Sequence, residues 1–425
     1  MNRNSGNRRA PVLVTGIGVV APGAVGREAF WARILDARPQ TRPVTLFDTS
    51  RFRSVLGGEV PREDLALALD DFAARTHAAV PAGRTARLLL VAADEALASA
   101  GLGDAELRRA TAFVFGSTLP EDAFEQHALR RFACQQQGVP FAAPEPAEMF
   151  AAAYAGGARA VGRALGLSDV RLGVPGACAA GNYALLLGAL LIRDGAAERV
   201  LCCGADHLSP VNFAGFGQLG LLADDVCRPF DACRRGLIPA EGAGALLLES
   251  RSSAAARGAT VLAELRGAGM ATDAYHVSAP DPSGRGLTLA IERALGDAEA
   301  SGDAIDYVSA HGTGTPANDR VESLALRRVF GSRLDHLPVS SIKSIFGHSM
   351  GAASAIEAVA TVQAIRAGVL PPTINHVTPD PDCVPDVVPN APRPARVKLA
   401  LSNGYAFGGG AVAIILAAAT GEVAR

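Results

Sequence analysis

An α/β architecture built from two similar halves follows from three features of this 425-residue chain. Strand-like and helix-like segments alternate along its whole length, which implies mainly parallel sheets with helices on their faces. The order of elements up to about residue 250 begins again after it. And the chain exceeds the usual limit for one hydrophobic core, so it needs two domains or one large two-lobed body. A hydrophobic content of 49% with 19% charged residues supplies ample core.

In the first half, residues 11–20 form a strand and Gly26 to Leu35 an amphipathic helix. Arg84 to Ala100 carries apolar residues at three- and four-residue spacing and a charged opposite face, so it is a helix. Thr111 to Gly116 is a strand, Glu121 to Gln137 a helix, and Ala151 to Leu165 a small-residue helix suited to close packing. Val170 to Val174 is a strand that enters a Pro-Gly turn, and the Ala/Leu run Ala179 to Ile192 is a buried helix. Arg199 to Ala205 and Gly242 to Glu249 are buried strands.

The second half repeats the scheme with strand Thr260 to Ala268, helix Gly286 to Ala300 and strand Ile305 to Ala310. Helix Ile356 to Ala367 and strands Val397 to Ser402 and Ala411 to Ala417 close it. No low-complexity linker separates the halves, so residues 1–255 and 256–425 are expected to fuse into one body.

Charge and cysteine usage remove several function classes. A net charge of −2 with no long basic block argues against nucleic-acid binding. The polar, arginine-bearing start and the apolar run Val12 to Val20 imitate a signal peptide. Thr15, Gly16, Gly18 and the turn Ala21-Pro22-Gly23 read instead as a buried strand and turn. No apolar stretch is long enough to span a membrane uninterrupted. Seven cysteines without a CxxC pair or a His/Cys ligand spacing point to free thiols in a reducing cytoplasm, with no metal. Nothing resembles a P-loop or a dinucleotide fingerprint, so no nucleotide or flavin cofactor is expected.

Three stretches carry chemistry. In Val174-Pro-Gly-Ala-Cys-Ala-Ala-Gly-Asn-Tyr183, Cys178 sits between small residues where a helix begins, a position whose free N–H groups and dipole favour a thiolate. An ordinary buried cysteine is the competing interpretation. His311 directly follows a strand in "HGTGTPANDRVE", where ligands bind in α/β proteins. Lys343 and His348 lie in "SIKSIFGHSMGAASAIE", which leads into a helix. Taken singly, these residues also fit a turn cap, a surface charge and tight-turn glycines.

Together the Cys178 elbow, His311-Gly-Thr-Gly-Thr-Pro316, Lys343 with Gly347-His348, and Asn403 to Gly409 resemble, in order, the motifs of the β-ketoacyl synthases of the thiolase-like superfamily. The resemblance runs over nearly the whole chain. The opening "VTGIGVVAPGAVGREAFWARI" with "RPVTLFDTSRFRS" is most similar to ketosynthase subunits of type II polyketide systems.

The resemblance implies a five-layered αβαβα fold and a decarboxylative Claisen condensation. An acyl chain would pass from the phosphopantetheine of an acyl carrier protein to Cys178 and be extended by malonyl–carrier protein, in polyketide or fatty acid elongation. His311 and His348 would stabilise the malonyl-derived enolate, and Lys343, held by Glu357, would support them. The N–H groups of Cys178 and Phe407 would form the oxyanion hole, with Phe407 also a gate. Thr313 and Thr315 would bind the pantetheine arm and Phe216 would border the acyl pocket. No cofactor is implied beyond the carrier's arm.

A homodimer is expected, or a heterodimer with a chain-length-factor-like subunit, through the apolar strand Arg199 to Ala205. Arg84, Arg87, Arg130 and Arg131 are candidate contacts for an acidic carrier protein.

Two departures bear on substrate choice. Cys178-Ala-Ala-Gly181 lacks the family's Ser or Thr beside the nucleophile, and the gate reads Ala406-Phe-Gly-Gly-Gly-Ala411 where the family has Gly-Phe-Gly-Gly-Thr-Asn. A non-elongating acyltransferase using the same Cys and His residues, and a silent partner subunit, are the alternatives. The latter is disfavoured because such subunits lack the cysteine.

Overall fold

The computed structural model describes residues 10–118, 122–142, 156–168 and 170–419. Its main elements in the first half are β1 (Val12–Ala21), α1 (Arg27–Asp36), α2 (Arg62–Thr76), α3 (Arg84–Ser99), β2 (Ala112–Gly116) and α4 (Asp122–Gln137). They continue with α5 (Gly156–Ala164), β3 (Val170–Val174), α6 (Ala180–Arg193), β4 (Arg199–Asp206), α7 (Pro210–Gln218) and β5 (Gly242–Ser250). The second half holds β6 (Ala263–Thr272), α8 (Arg285–Asp297), β7 (Tyr307–Ser309), α9 (Pro316–Phe330), β8 (Val339–Ser340), α10 (Ala353–Ala367), β9 (Leu399–Tyr405) and β10 (Gly410–Ala418).

The ten strands form one path, β3-β2-β4-β5-β1-β6-β10-β9-β7-β8, with Ala24–Val25 added beside β1. Numbered within its own half, each set of five runs third, second, fourth, fifth, first from its outer edge to the centre. That identity of order is the structural form of the repeat expected from the sequence. The two sets meet only where Val12–Val14 of β1 pair with Ala263–Leu265 of β6.

Strand direction departs from expectation. β2 pairs in parallel with β3 and β4, and β7 with β8 and β9. The pairs β1–β5, β4–β5, β6–β10 and β9–β10 are antiparallel, so each half is mixed rather than mainly parallel. The reason lies in the connections. β9 reaches β10 through the short turn Phe407–Gly409, far too short for the crossover that a parallel neighbour requires.

Both faces of the central strands are covered, which is why they read as unbroken apolar runs. In β5, Leu246 and Leu248 face the central core while Ala245 and Leu247 face the outer one. The central layer is α6 and α10, and the latter is buried from Ala353 to Gln363 and beyond because it has a sheet on either side. The two helices meet where Asn182 N donates to Ser354 Oγ at 3.0 Å. The outer layers are α3 and α5 against the first half and α8 and α9 against the second, completing five layers.

Gly16 and Gly18 let α3 approach β1: a Cβ on Gly18 would lie 2.7 Å from Ala96 N. Helices α2, α7 and α9 went unread in the sequence, although Pro210 and Pro316 mark the first turns of the latter two. Residues 151–155 of the expected Ala151–Leu165 helix, and Glu121 of the Glu121–Gln137 helix, lie outside the described residues.

Two surface expectations change. β4 has β2 on one side and β5 on the other, so Arg199 to Ala205 has no free edge for a partner chain. The outer edge of that half is β3. Arg84 turns inward, where its Nε donates at 2.6 Å to Glu241, a carboxylate with no exposure, so it is a structural ion pair. Arg87, Arg130 and Arg131 are exposed.

Candidate active site

Cys178 is placed by a backbone turn that an L-residue rarely adopts. After β3 and Pro175-Gly176, Ala177 takes φ 45°, Cys178 falls in a 3₁₀ turn, and α6 follows at once. Left-handed strain of about 1–3 kcal/mol in a non-glycine residue is characteristic of functional sites. The thiol is 6% exposed. Burial pushes it up to about 12, while the charge of Lys343 pulls it down. Desolvation therefore outweighs the helix terminus, and the resting cysteine is a thiol rather than the thiolate the sequence suggested.

His311 leaves the end of β7 and is fixed through its backbone. Glu322, on α9, accepts from His311 N at 2.9 Å and from Gly312 N at 2.8 Å, and Asn403 Nδ2 approaches the same carboxylate at 3.2 Å. Lys343 Nζ donates to His311 O at 2.6 Å and to Glu357, and lies 3.4 Å from His311 Nδ1. An ammonium can only donate, so Nδ1 is the acceptor and the imidazole proton resides on Nε2.

His348 enters from the other side, its N–H donating to Ile238 O at 2.7 Å and its carbonyl accepting from Ala240 N at 2.9 Å. Its Nδ1 is buried without a hydrogen-bond partner. The two imidazoles meet edge to face, 5.4 Å apart at 83°. Burial, reinforced by Lys343, holds both pKa values well below the usual histidine range, so both rings are neutral. Burial also raises Glu357 to about 7, against the downward pull of Lys343.

Cys178, His311 and His348 line one cavity of about 230 Å³, with Thr313, Thr315 and Phe216 in its wall. Phe407 stands at its rim, 39% exposed, with its ring 5.7 Å from that of Phe216. Gly408 and Gly409 take φ 81° and 77°, and Gly408 N donates to Val277 O at 2.9 Å, tying the turn to the loop beside it. The threonine hydroxyls bond each other at 2.8 Å. Lys343 and Glu357 do not line the cavity; they sit behind His311. Every site residue singled out in the sequence thus gathers in one place.

Three buried carboxylates went unnoticed. Glu322 sets His311. Asp206 accepts from Ser117 Oγ, Thr118 N (2.9 Å) and Gly351 N (2.6 Å), joining the loop after β2 to the loop after His348. Asp319 accepts from Phe230 N at 2.8 Å and Gly314 N at 3.2 Å, shaping the loop that bears the threonines. The signal for Glu322 and Asp319 was Pro316, which starts the helix that aims both inward. Asp206, at a strand end, carried none.

Among the described residues no group of His, Cys, Asp or Glu is placed to hold a metal ion, and no helix is long and apolar enough to cross a membrane. All seven cysteines are unpaired.

Comparison with known proteins agrees with this geometry. The tetracenomycin polyketide synthase ketoacyl synthase alpha subunit of Streptomyces glaucescens is 36% identical over 425 residues, covering 96% of each chain. The structure of the ishigamide ketosynthase/chain length factor is 37% identical, with a TM-score of 0.88 over 97% of this chain and 100% of that one. A type II PKS acyl-carrier protein in complex with its ketosynthase bound to the hexaketide gives a TM-score of 0.84 at 30% identity, covering 97% and 100%. Residues 9–254 match the beta-ketoacyl synthase N-terminal domain and residues 262–377 the C-terminal domain of that enzyme. With the thiol, the two neutral imidazoles and the five-layered fold, these matches place the chain in the β-ketoacyl synthase family.

Proposed function

We propose that the protein elongates acyl chains by decarboxylative Claisen condensation on acyl carrier protein, in a type II polyketide or fatty acid pathway. The observation that carries this is the convergence of Cys178 and two neutral histidines on one cavity, backed by the buried Lys343–Glu357 pair.

In the first half-reaction the Cys178 sulfur attacks the acyl thioester of the carrier. The C–S bond to phosphopantetheine breaks, and the thiol proton ends on the departing pantetheine sulfur. Burial disfavours a free thiolate, so the proton leaves the Cys178 sulfur as the new S–C bond forms rather than before it. The N–H groups of Cys178 and Phe407 are assigned to the tetrahedral oxyanion, a role worth about 3–4 kcal/mol for each such donor.

In the second half-reaction malonyl–carrier protein occupies the cavity and its C–CO₂ bond breaks. His311, with its proton on Nε2, and His348 donate to the thioester oxygen of the resulting enolate. Neutral donors suit this step because they stabilise the charge without trapping it. The enolate carbon attacks the Cys178 thioester, and the expelled sulfur takes up one proton to regenerate the thiol. Lys343 keeps the His311 proton on Nε2. Thr313 and Thr315 hold the pantetheine arm, Phe216 borders the acyl chain, and Phe407 gates entry. No cofactor beyond that arm takes part, and the setting is cytoplasmic.

For assembly, β3 is the strand of the first half with a free edge among the described residues, and it ends at the Cys178 turn. Unpaired edges of this kind recruit partners. A second copy or a chain-length-factor-like subunit would pair there; the ishigamide protein similar to this chain is a ketosynthase/chain length factor.

Intact-mass analysis with acyl–carrier proteins, with and without malonyl–carrier protein, tests the assignment. The expected result is one acyl group on Cys178, then its release as β-ketoacyl–carrier protein with CO₂. Acylation without malonyl-dependent CO₂ release would instead make the protein an acyltransferase.

A further inference from the structure

We propose that Asn318 is a substrate-binding residue, its side-chain oxygen accepting a hydrogen bond from an amide N–H of the pantetheine arm. This rests on the ketosynthase assignment above and adds a recognition element to it.

Asn318 lies in the first turn of α9, three positions after Thr315, and lines the same cavity as Cys178, Thr313 and Thr315. Its side chain is buried to nine-tenths. One end is pinned: Nδ2 donates to Asp319 Oδ1 at 3.1 Å. The orientation of the amide is settled by what Asp319 already does. Its two oxygens accept from Phe230 N and Gly314 N, and Arg234 lies 3.9 Å away, so it acts as an acceptor on both sides. Only the amide nitrogen can face such a carboxylate.

The planar amide then directs Oδ1 away from Asp319, and Oδ1 has no hydrogen-bond partner among the described residues. An acceptor without a protein partner, on a residue that lines the cavity, is open to a donor that enters it.

The threonines can serve one part of the arm. Thr313 and Thr315 spend one hydroxyl hydrogen on each other, leaving one hydrogen to donate and oxygen lone pairs to accept. A pantetheine arm carries more than one amide, each with a carbonyl and an N–H. Asn318 Oδ1 adds an acceptor beside them for an N–H. It is fixed before binding, since Asp319 holds the amide and Arg234 and two backbone N–H groups hold Asp319. Such preorganisation lowers the ordering cost of binding.

The test is a substitution cycle on the substrate and on residue 318, read as the rate of Cys178 acylation by intact mass. The substrates are butyryl-pantetheine and two analogues, each with one amide NH replaced by an ester oxygen. The proteins are the parent, Asn318→Ala and Asn318→Leu, the last keeping the side chain's outline without its acceptor. In the parent, one ester analogue should react about fivefold to tenfold more slowly than the amide, the size of one neutral hydrogen bond. In both variants that preference should vanish.

A preference that survives in the variants, or its absence in the parent, overturns the proposal, as does equal slowing of all three substrates, which would mark Asn318 as a prop for the loop. A parent that is acylated by none of the three refutes the Cys178 assignment itself, and the proposal with it.

Discussion

At the scale of single residues, burial decides the chemistry more than any one charge does. Lys343 is buried, yet its partners Glu357 and the His311 carbonyl satisfy it. Removing it by Lys343→Met would leave the Glu357 carboxylate alone in the core, and breaking a buried pair in this way costs about 3–5 kcal/mol. Urea unfolding should show that loss, and the paired change Lys343→Met with Glu357→Gln should recover much of it. The histidines respond to pH in a defined direction. Both are depressed, so their neutral forms persist as pH falls through about 6.5, where a solvated imidazole would protonate. Condensation should therefore show no acid limb near that pH, and a limb centred there would contradict neutral, buried rings. Stability carries the matching sign. The contribution from these groups is present above about 6.5 and is lost as pH drops toward their folded values. A His348→Asn variant should lose less melting temperature on acidification than the parent.

At the scale of elements, close backbone approach does what side chains do elsewhere. β1 carries glycine where α3 crosses it, and β5 carries Gly244, whose Cβ would lie 2.6 Å from Ala355 C of α10. These contacts hold an outer helix and a central helix against the same sheet. Gly18→Ala forces α3 off β1 and should cost about 3 kcal/mol, the upper end of ordinary overpacking. Gly101→Ala is the control: φ is 67°, nothing lies within 4 Å, and only the left-handed penalty of about 1–2 kcal/mol applies. Thermal unfolding of both variants checks the difference. If Gly101→Ala proves the costlier change, backbone conformation rather than packing governs these sites.

At the scale of the whole molecule, function depends on bringing two halves of the chain to one point. Cys178 follows β3 of the first half, and His311 follows β7 of the second. Asn182 bridges them, its Nδ2 reaching Ser402 O at 3.3 Å and Val412 O at 3.4 Å. A carrier protein must reach that point from outside. With Arg84 committed to Glu241, the exposed Arg87, and Arg130 and Arg131 on α4, remain the candidates for an acidic partner, and the α4 pair is the one tested. Joint reversal to Glu should raise KM for carrier-bound substrate several-fold and weaken its salt dependence, while turnover of a free pantetheine thioester stays unchanged. Equal effects on both substrates would place carrier docking elsewhere.

The motifs around Cys178, His311, Lys343 and His348, and the alternation of strands with helices, were legible along the chain because each is local: a turn, a strand end, a 3.6-residue period. The repeat was legible too, as an order of elements. What the linear pattern leaves open is set by contacts between distant residues. Strand direction in β5 and β10 follows from which neighbour each finds in the sheet, and an apolar run reads the same in either direction. The interior place of β4, which removes it as a dimer edge, is likewise a matter of neighbours. Arg84 looks like any helix-face arginine until Glu241, more than a hundred and fifty residues away, draws it inward. The protonation of Cys178 is the clearest case: helix position alone favours a thiolate, but desolvation by both halves of the fold reverses the balance, and only the assembled core supplies it.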